Sequence, residues 1–159
     1  SWYQMVLGTN ESLHAWMDEG FTSYAENIVE NELAREGLLN ARTPKDNPFE
    51  GTYSGYRALA LSGREEPLTT QADHFNTSYA YLLAAYTKGA VFMNQLEYVV
   101  GKTHHAPSLL RYFHTWKFKH PNPNDLIRIF EKQSGLELDL YIQYFVNSTN
   151  TIDYAIQSV

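Results

Sequence analysis

Apolar residues recur at helical spacing along most of the chain, and strand-like alternation is confined to its C-terminal end. The longest helical pattern runs from Ser78 to Val100 and is apolar on almost every side, which predicts a buried central helix. A second helix is expected from about Met17 to Glu36, with Gly37 as its end. Shorter helices are predicted over four further ranges, about Tyr53–Leu61, Pro107–Lys117, Asp125–Gln133 and Asp139–Val146.

Turn-forming residues set the expected ends of these helices. Pro107 should lie in the first turn of its helix, and Asp125 should cap the helix that follows it. Asn40–Gly51 is expected to be a surface loop. Gly63–Asn76 is long, has few periodic apolar residues, and is the kind of loop that often lines a site.

The two ends of the chain suggest that it belongs to something longer. Residues 1–7 have the pattern of the last turns of a helix, with Gly8 as its C-cap, and we expect the remainder of a parent chain to pack on residues 1–8. Ile152, Tyr154 and Ile156 alternate as in a strand. We therefore expect a helical domain over residues 1–151, with residues 152–159 as the start of a following β domain.

Composition excludes several classes of function. The 159 residues suit one globular domain, and 43% of them are hydrophobic. A net charge of -6 argues against a nucleic-acid partner, and no apolar run in this segment approaches the length of a membrane span. The chain has no cysteine, which removes disulfide and thiolate chemistry and leaves the compartment undetermined.

Carboxylates cluster at the start of the second predicted helix. Asp18 and Glu19 precede Gly20, and Glu26 follows Glu19 by seven residues, two helical turns on and on the same face. The helix dipole keeps a first-turn carboxylate anionic, which suits a metal ligand. Taken alone, however, the Asp18-Glu19 pair fits an ordinary helix cap, and Glu26 fits a solvated carboxylate.

A tyrosine in the central helix is the other candidate for chemistry. Tyr86 lies three residues before Gly89. Aromatic residues at helical spacing usually belong to a core, but Gly89 costs about 1 kcal/mol relative to Ala inside a helix. That cost predicts a close approach by another element. The six histidines form no His-x-x-x-His pair and are expected on the surface or in loops.

Together these motifs resemble zinc aminopeptidases of the aminopeptidase-N type, the gluzincin metallopeptidases. Trp16–Glu26 is similar to the family motif Trp-x-Asn/Asp-Glu-Gly-Phe-x-x-Tyr-x-Glu, and Tyr86–Gly89 is similar to its Tyr-x-Lys-Gly segment. Eighteen residues precede Glu19. The family places the same number between the second His of His-Glu-x-x-His and the liganding Glu, so this sequence would begin directly after that motif.

The resemblance implies a fold and a set of roles. The fold would be all-α, the helical C-terminal lobe of a thermolysin-like catalytic domain, with six or seven helices and a short extended C-terminal tail. Glu19 would be the metal ligand, Glu26 would orient a zinc-ligating imidazole, and Tyr86 would donate a hydrogen bond to the oxyanion. Tyr81 would lie on the substrate side. Glu19 and Tyr86 would face one cleft, roughly 5 to 8 Å apart.

The resemblance also implies the activity. The parent would be a zinc-dependent aminopeptidase that holds one zinc and hydrolyses N-terminal peptide bonds of peptide substrates with metal-activated water. The isolated chain would lack two metal ligands and the general base, and would be inactive and without zinc. The alternative is a parent that has kept the fold, lost catalysis, and binds peptides or proteins in the cleft.

Overall fold

The structure is a computed structural model that describes residues 2–40 and 42–150. This part of the chain is built from helices and the segments that connect them. In chain order the helices are α1 (Trp2–Val6), α2 (Glu11–Ala15), π1 (Trp16–Gly20), α3 (Phe21–Arg35), α4 (Glu50–Leu61), α5 (Ser78–Leu82), π2 (Leu83–Lys88), α6 (Gly89–Val100), α7 (Lys102–Trp116), α8 (Pro123–Ser134) and α9 (Asp139–Phe145).

Two of these groups are consecutive in the chain: α2, π1 and α3 follow one another with a kink at His14 (φ -137°, ψ 46°), and α5, π2 and α6 follow one another as a single helix. We call them the first rod (residues 11–35) and the second rod (residues 78–100). Counted in this way, the described residues form seven helical rods, which confirms the predicted all-α fold. The predicted tail and β-domain start at 152–159 lie outside the described residues, so that boundary stays a prediction.

The second rod forms the centre of the core. Ala84, Phe92 and Leu96 have no exposed surface, as predicted for a buried helix. Its first turn differs from the prediction, because Tyr79 is 43% exposed and Leu82 is 51% exposed. That turn lies ten residues, or about 15 Å, before Gly89, and therefore extends beyond the place where the two rods cross.

The rods cross at two glycines. A Cβ atom built on Gly20 would lie 2.6 Å from the Cα of Gly89, and one built on Gly89 would lie 2.8 Å from the Cα of Gly20. Both distances are far shorter than a carbon–carbon contact of about 3.5 to 4.0 Å. The close approach predicted from Gly89 is thus confirmed, and its partner is the glycine of the carboxylate motif.

Helix ends show where local signals are sufficient. The first rod ends in a Schellman motif at Gly37, whose φ is +71°, with the Leu38 N–H donating to the Leu33 carbonyl at 2.9 Å. This end agrees with the prediction. The start lies earlier than predicted, because Asn10 caps the rod and helix begins at Glu11.

Three other helix starts also differ from the prediction. Helix α4 begins at Glu50, three residues before Tyr53 and inside the range predicted as a loop. Asn122, and not Asp125, caps α8; Asp125 is the third helical residue and accepts a hydrogen bond from the Asn122 N–H at 3.0 Å in a capping box. Helix α7 begins at Lys102, so Pro107 lies inside it. Gly101, whose φ is +81°, ends α6, and α7 begins at the next residue.

Residues 6–8 are paired with residues 118–120. The Gly8 N–H donates to the Lys119 carbonyl at 3.0 Å, and His120 Nδ1 lies 2.8 Å from the Gly8 carbonyl oxygen. Gly8 does not have the left-handed conformation of a C-cap glycine. The position instead leaves little room for a side chain, because a Cβ atom on residue 8 would lie 3.0 Å from His120 Nδ1. Packing of a parent chain on residues 1–8 stays a prediction.

Candidate active site

The carboxylate motif lies on the π-helical turn π1 of the first rod. A π-helical turn contains one residue more than an α-helical turn and is frequent at functional sites. Trp16, Met17 and Asp18 are buried on this turn, whereas Glu19 is half-buried. The turn therefore leaves the Glu19 side chain accessible while its neighbours join the core.

The second rod brings Tyr86 to Glu19 from the other side of the crossing. Hydrogen bonding to the Glu19 carboxylate, burial and the charge of Glu19 raise the pKa of Tyr86 to about 12. The Tyr86 hydroxyl therefore faces the Glu19 carboxylate. The glycine crossing brings the two side chains together, because Glu19 adjoins Gly20 and Tyr86 precedes Gly89 by three residues.

Tyr81 lies near the same carboxylates. Its pKa is raised by partial burial and by the negative charges of Glu19, Glu11 and Asp18. The Tyr81 ring packs edge to face on Phe75, with ring centroids 5.6 Å apart. Phe75 belongs to the irregular loop predicted over Gly63–Asn76, so this loop packs against Tyr81.

Asp18 is a site residue to which the sequence assigned no role. It is buried, and its Oδ1 atom has no hydrogen-bond partner. Burial and the nearby carboxylates of Glu11 and Glu19 raise the pKa of Asp18 to about 6. Its position next to Glu19 in the motif is visible in the sequence, but nothing local indicates that it faces inward.

Glu26 is not joined to this cluster. It is exposed on α3, and within residues 2–40 and 42–150 the structure gives it no hydrogen bond or ion pair. Its role as an orienting carboxylate therefore stays a prediction. Among the same residues, no group of three or more His, Asp or Glu side chains is arranged to hold a metal ion.

One histidine differs from the expectation that all six lie on the surface or in loops. His105 is 3% exposed and packs between the rings of Tyr24 and Phe130, at centroid distances of 5.9 and 5.5 Å. The correction follows from the helix start: because α7 begins at Lys102, His105 is helical and points to the core. Burial lowers the pKa of His105.

Comparison with known families identifies the family of this chain. Residues 4–148 match the Peptidase family M1 domain. The chain belongs to peptidase family M1. This confirms the resemblance drawn from the Trp16–Glu26 and Tyr86–Gly89 motifs, and it places Glu19, Tyr81 and Tyr86 inside the matched region.

Individual relatives of the M1 family are distant in sequence. Aminopeptidase M1-B of Oryza sativa subsp. japonica is 24% identical over 135 residues, which cover 84% of this chain and 15% of that protein. A mutant M1 zinc metallopeptidase of Deinococcus radiodurans, solved with a Tyr-Ser-Ala substrate, has a TM-score of 0.67 at 19% identity and covers 93% of this chain. The same mutant solved without that substrate gives the same TM-score and covers 92%.

The chain is short beside these relatives, since it spans 30% of each solved chain. The structural match confirms the helical fold. No helix within the described ranges is long and apolar enough to cross a membrane.

Proposed function

We propose that this chain is part of a zinc-dependent aminopeptidase and that it supplies one zinc ligand and one oxyanion-stabilising donor to the active site. The observation that carries the proposal is the crossing of the two rods at Gly20 and Gly89, beside which Tyr86 and Glu19 interact. This crossing brings two motifs that are far apart in the sequence next to each other. Membership of peptidase family M1 supports the assignment to a peptidase.

The residues of the site fit a divalent cation. Glu19 presents an accessible carboxylate, and the buried Asp18 Oδ1 beside it has no donor. Oxygen ligands of this kind bind zinc, although a catalytic site requires three protein ligands. The remaining ligands would come from a His-Glu-x-x-His motif, and Glu26 would orient one of its imidazoles. When bound, zinc supplies Lewis-acid activation of water and of a peptide carbonyl.

Tyr86 acts as a hydrogen-bond donor in this proposal. Its raised pKa keeps the phenol protonated at neutral pH, so it can always donate. When substrate binds, the Tyr86 hydroxyl changes its hydrogen-bond acceptor from the Glu19 carboxylate to the carbonyl oxygen of the scissile peptide. Negative charge develops on that oxygen during the reaction. A donor placed for the transition state lowers the barrier by about 3 kcal/mol. Tyr81, beside the same carboxylates, would contact the substrate.

The experiment uses the full-length protein that carries this chain and a chromogenic N-terminal aminoacyl substrate. Tyr86→Phe should lower kcat by about 10²- to 10³-fold while zinc content and KM stay near wild type. Glu19→Gln should lower both zinc content and activity. Tyr79→Phe is the matched control, because Tyr79 lies on the same rod and is exposed.

Two results would contradict the proposal. Wild-type kcat in Tyr86→Phe would remove Tyr86 from catalysis, and undiminished zinc content in Glu19→Gln would remove Glu19 from the metal site. An unmodified full-length protein that binds peptides without hydrolysing them would instead support the alternative, a peptide-binding module.

A further inference from the structure

A buried ion pair lies behind Tyr86, on the side of the second rod that faces away from Glu19. Lys88 is 1% exposed, and its Nζ atom lies 2.7 Å from the Oε1 atom of Glu65, whose side chain is 6% exposed. Lys88 Nζ also donates to the Ser148 carbonyl at 3.2 Å. Burial at this depth is rare for Lys and Glu unless they are paired.

Aromatic residues complete the surroundings of the pair. Lys88 Nζ lies 5.9 Å from the ring centroid of Tyr56 and 5.7 Å from that of Phe145. Burial, together with the charge and hydrogen bonding of the nearby Glu65 carboxylate, raises the pKa of Tyr56 to about 12. The ammonium group of Lys88 therefore connects π2 to α4, to α9, to the loop after α4 and to the segment after α9.

Tyr86 and Lys88 belong to the same π-helical turn. Residues two apart on a helix point to roughly opposite sides, so Tyr86 faces the first rod while Lys88 faces the ion pair. The next residue, Gly89, is held against Gly20. The extra residue of π2 is thus confined between fixed points, and relaxation of the turn to α-helix would rotate the upstream residues by about 100°.

We infer that the buried Lys88–Glu65 pair is a positioning element for Tyr86, which fixes the rotation of π2 and thereby directs the tyrosine hydroxyl at the Glu19 carboxylate. The catalytic consequence of this positioning rests on the proposed function of Tyr86. Among the described residues, no hydrogen bond or ion pair joins Lys88 or Glu65 to Glu19, so the pair would act through the backbone of the turn.

The test removes both charges at once in the full-length protein. Lys88→Met alone would leave the Glu65 carboxylate buried without a partner, whereas an apolar replacement of both residues often preserves folding. The double variant Lys88→Met/Glu65→Leu is therefore compared with Glu32→Leu/Arg35→Met, which removes an exposed ion pair from α3. Tyr56→Phe, which keeps the ring and loses the hydrogen bond to Glu65, is a milder second variant.

Two readouts are used, 3-fluorotyrosine at position 86 observed by ¹⁹F NMR, and steady-state kinetics with zinc content. In Lys88→Met/Glu65→Leu the position-86 resonance should move, and kcat should fall about 10- to 100-fold with KM and zinc content unchanged. Tyr56→Phe should show smaller changes in the same direction. The α3 control should show none.

The outcomes separate this inference from the proposed function. A wild-type resonance and wild-type kcat in Lys88→Met/Glu65→Leu would overturn the inference, and so would unchanged values in Tyr56→Phe if the double variant does not fold. If Tyr86→Phe itself leaves kcat unchanged, the proposed function fails, and the NMR signal still decides whether the pair positions Tyr86.

Discussion

Replacement of Gly89 by alanine tests whether backbone contact between the two rods builds the site. The new Cβ atom would lie 2.8 Å from the Gly20 Cα and 3.0 Å from the Trp16 carbonyl oxygen. Both neighbours are backbone atoms, so no rotation of a side chain can relieve the contact. The rods would have to separate by about 1 Å to restore normal carbon–carbon distances.

The expected loss of stability follows from two opposing terms. Overpacking a well-packed site costs about 1 to 3 kcal/mol, and the upper end applies because the clash is with backbone. Alanine is better than glycine inside a helix by about 1 kcal/mol. Gly89→Ala should therefore lower the free energy of unfolding by about 2 kcal/mol.

Urea denaturation followed by far-UV circular dichroism measures this change in the isolated chain. Gly51→Ala is the matched control, because Gly51 is helical and a Cβ atom there would have no neighbouring atom within 4 Å. That substitution should be neutral or stabilising by up to about 1 kcal/mol. Gly20→Ala, with contacts of 2.6 and 2.7 Å to Gly89, should resemble Gly89→Ala.

The double variant Gly20→Ala/Gly89→Ala should cost less than the two single losses added together, because one separation of the rods relieves both contacts. Backbone contact between the rods would not build the site if Gly89→Ala were as stable as wild type, or if Gly89→Ala and Gly51→Ala changed stability equally. In the full-length protein, a displacement of about 1 Å at Tyr86 should also lower kcat by up to about 100-fold.

Two further predictions concern the isolated chain. Burial lowers the pKa of His105 below 6.5 in the folded chain, so the unfolded chain binds the proton more tightly. The contribution of His105 to the free energy of unfolding is therefore present above pH 6.5. It is lost as the pH falls through the folded-state pKa. Urea unfolding between pH 7.5 and 5 should show a flatter dependence in His105→Phe; His14, whose pKa is also lowered by burial, remains in both proteins. The isolated chain should also bind zinc with a dissociation constant above about 1 µM and hydrolyse no aminoacyl substrate, because it supplies one of three ligands. Calorimetry that shows one-to-one zinc binding with a dissociation constant of about 1 µM or lower would contradict this prediction.

Local signals in the sequence determined the helices and several of their ends. Periodic apolar residues specify a helix through neighbours three and four residues away, and Gly37 adopts the positive φ that a Schellman motif requires. Among the predicted helix starts that were wrong, that of α8 lies where two local signals compete. Asn122 and Asp125 are both good caps, and only the extended backbone of Asn122 decides that it is the cap and that Asp125 completes the capping box.

The sequence also identified the family and two candidate site residues, because Glu19 and Tyr86 lie in short motifs with recognisable spacing. It could not show that they meet. Their contact depends on the crossing of two rods at Gly20 and Gly89, a packing relation between segments that are distant in the chain. Each of the two π-helical turns at this crossing adds one residue to its turn, and a prediction of regular α-helices from apolar spacing does not include them.

Tertiary structure alone decided which polar groups are buried. Asp18, Lys88 and His105 have residue types that are usually exposed, and their burial follows from the elements that surround them. Glu65 lies in an irregular loop and pairs with Lys88 only because that loop folds back on the second rod. The sequence thus determined the candidate residues of the site and most of the helices that carry them. Their relative placement depends on contacts between distant segments, which no local pattern encodes.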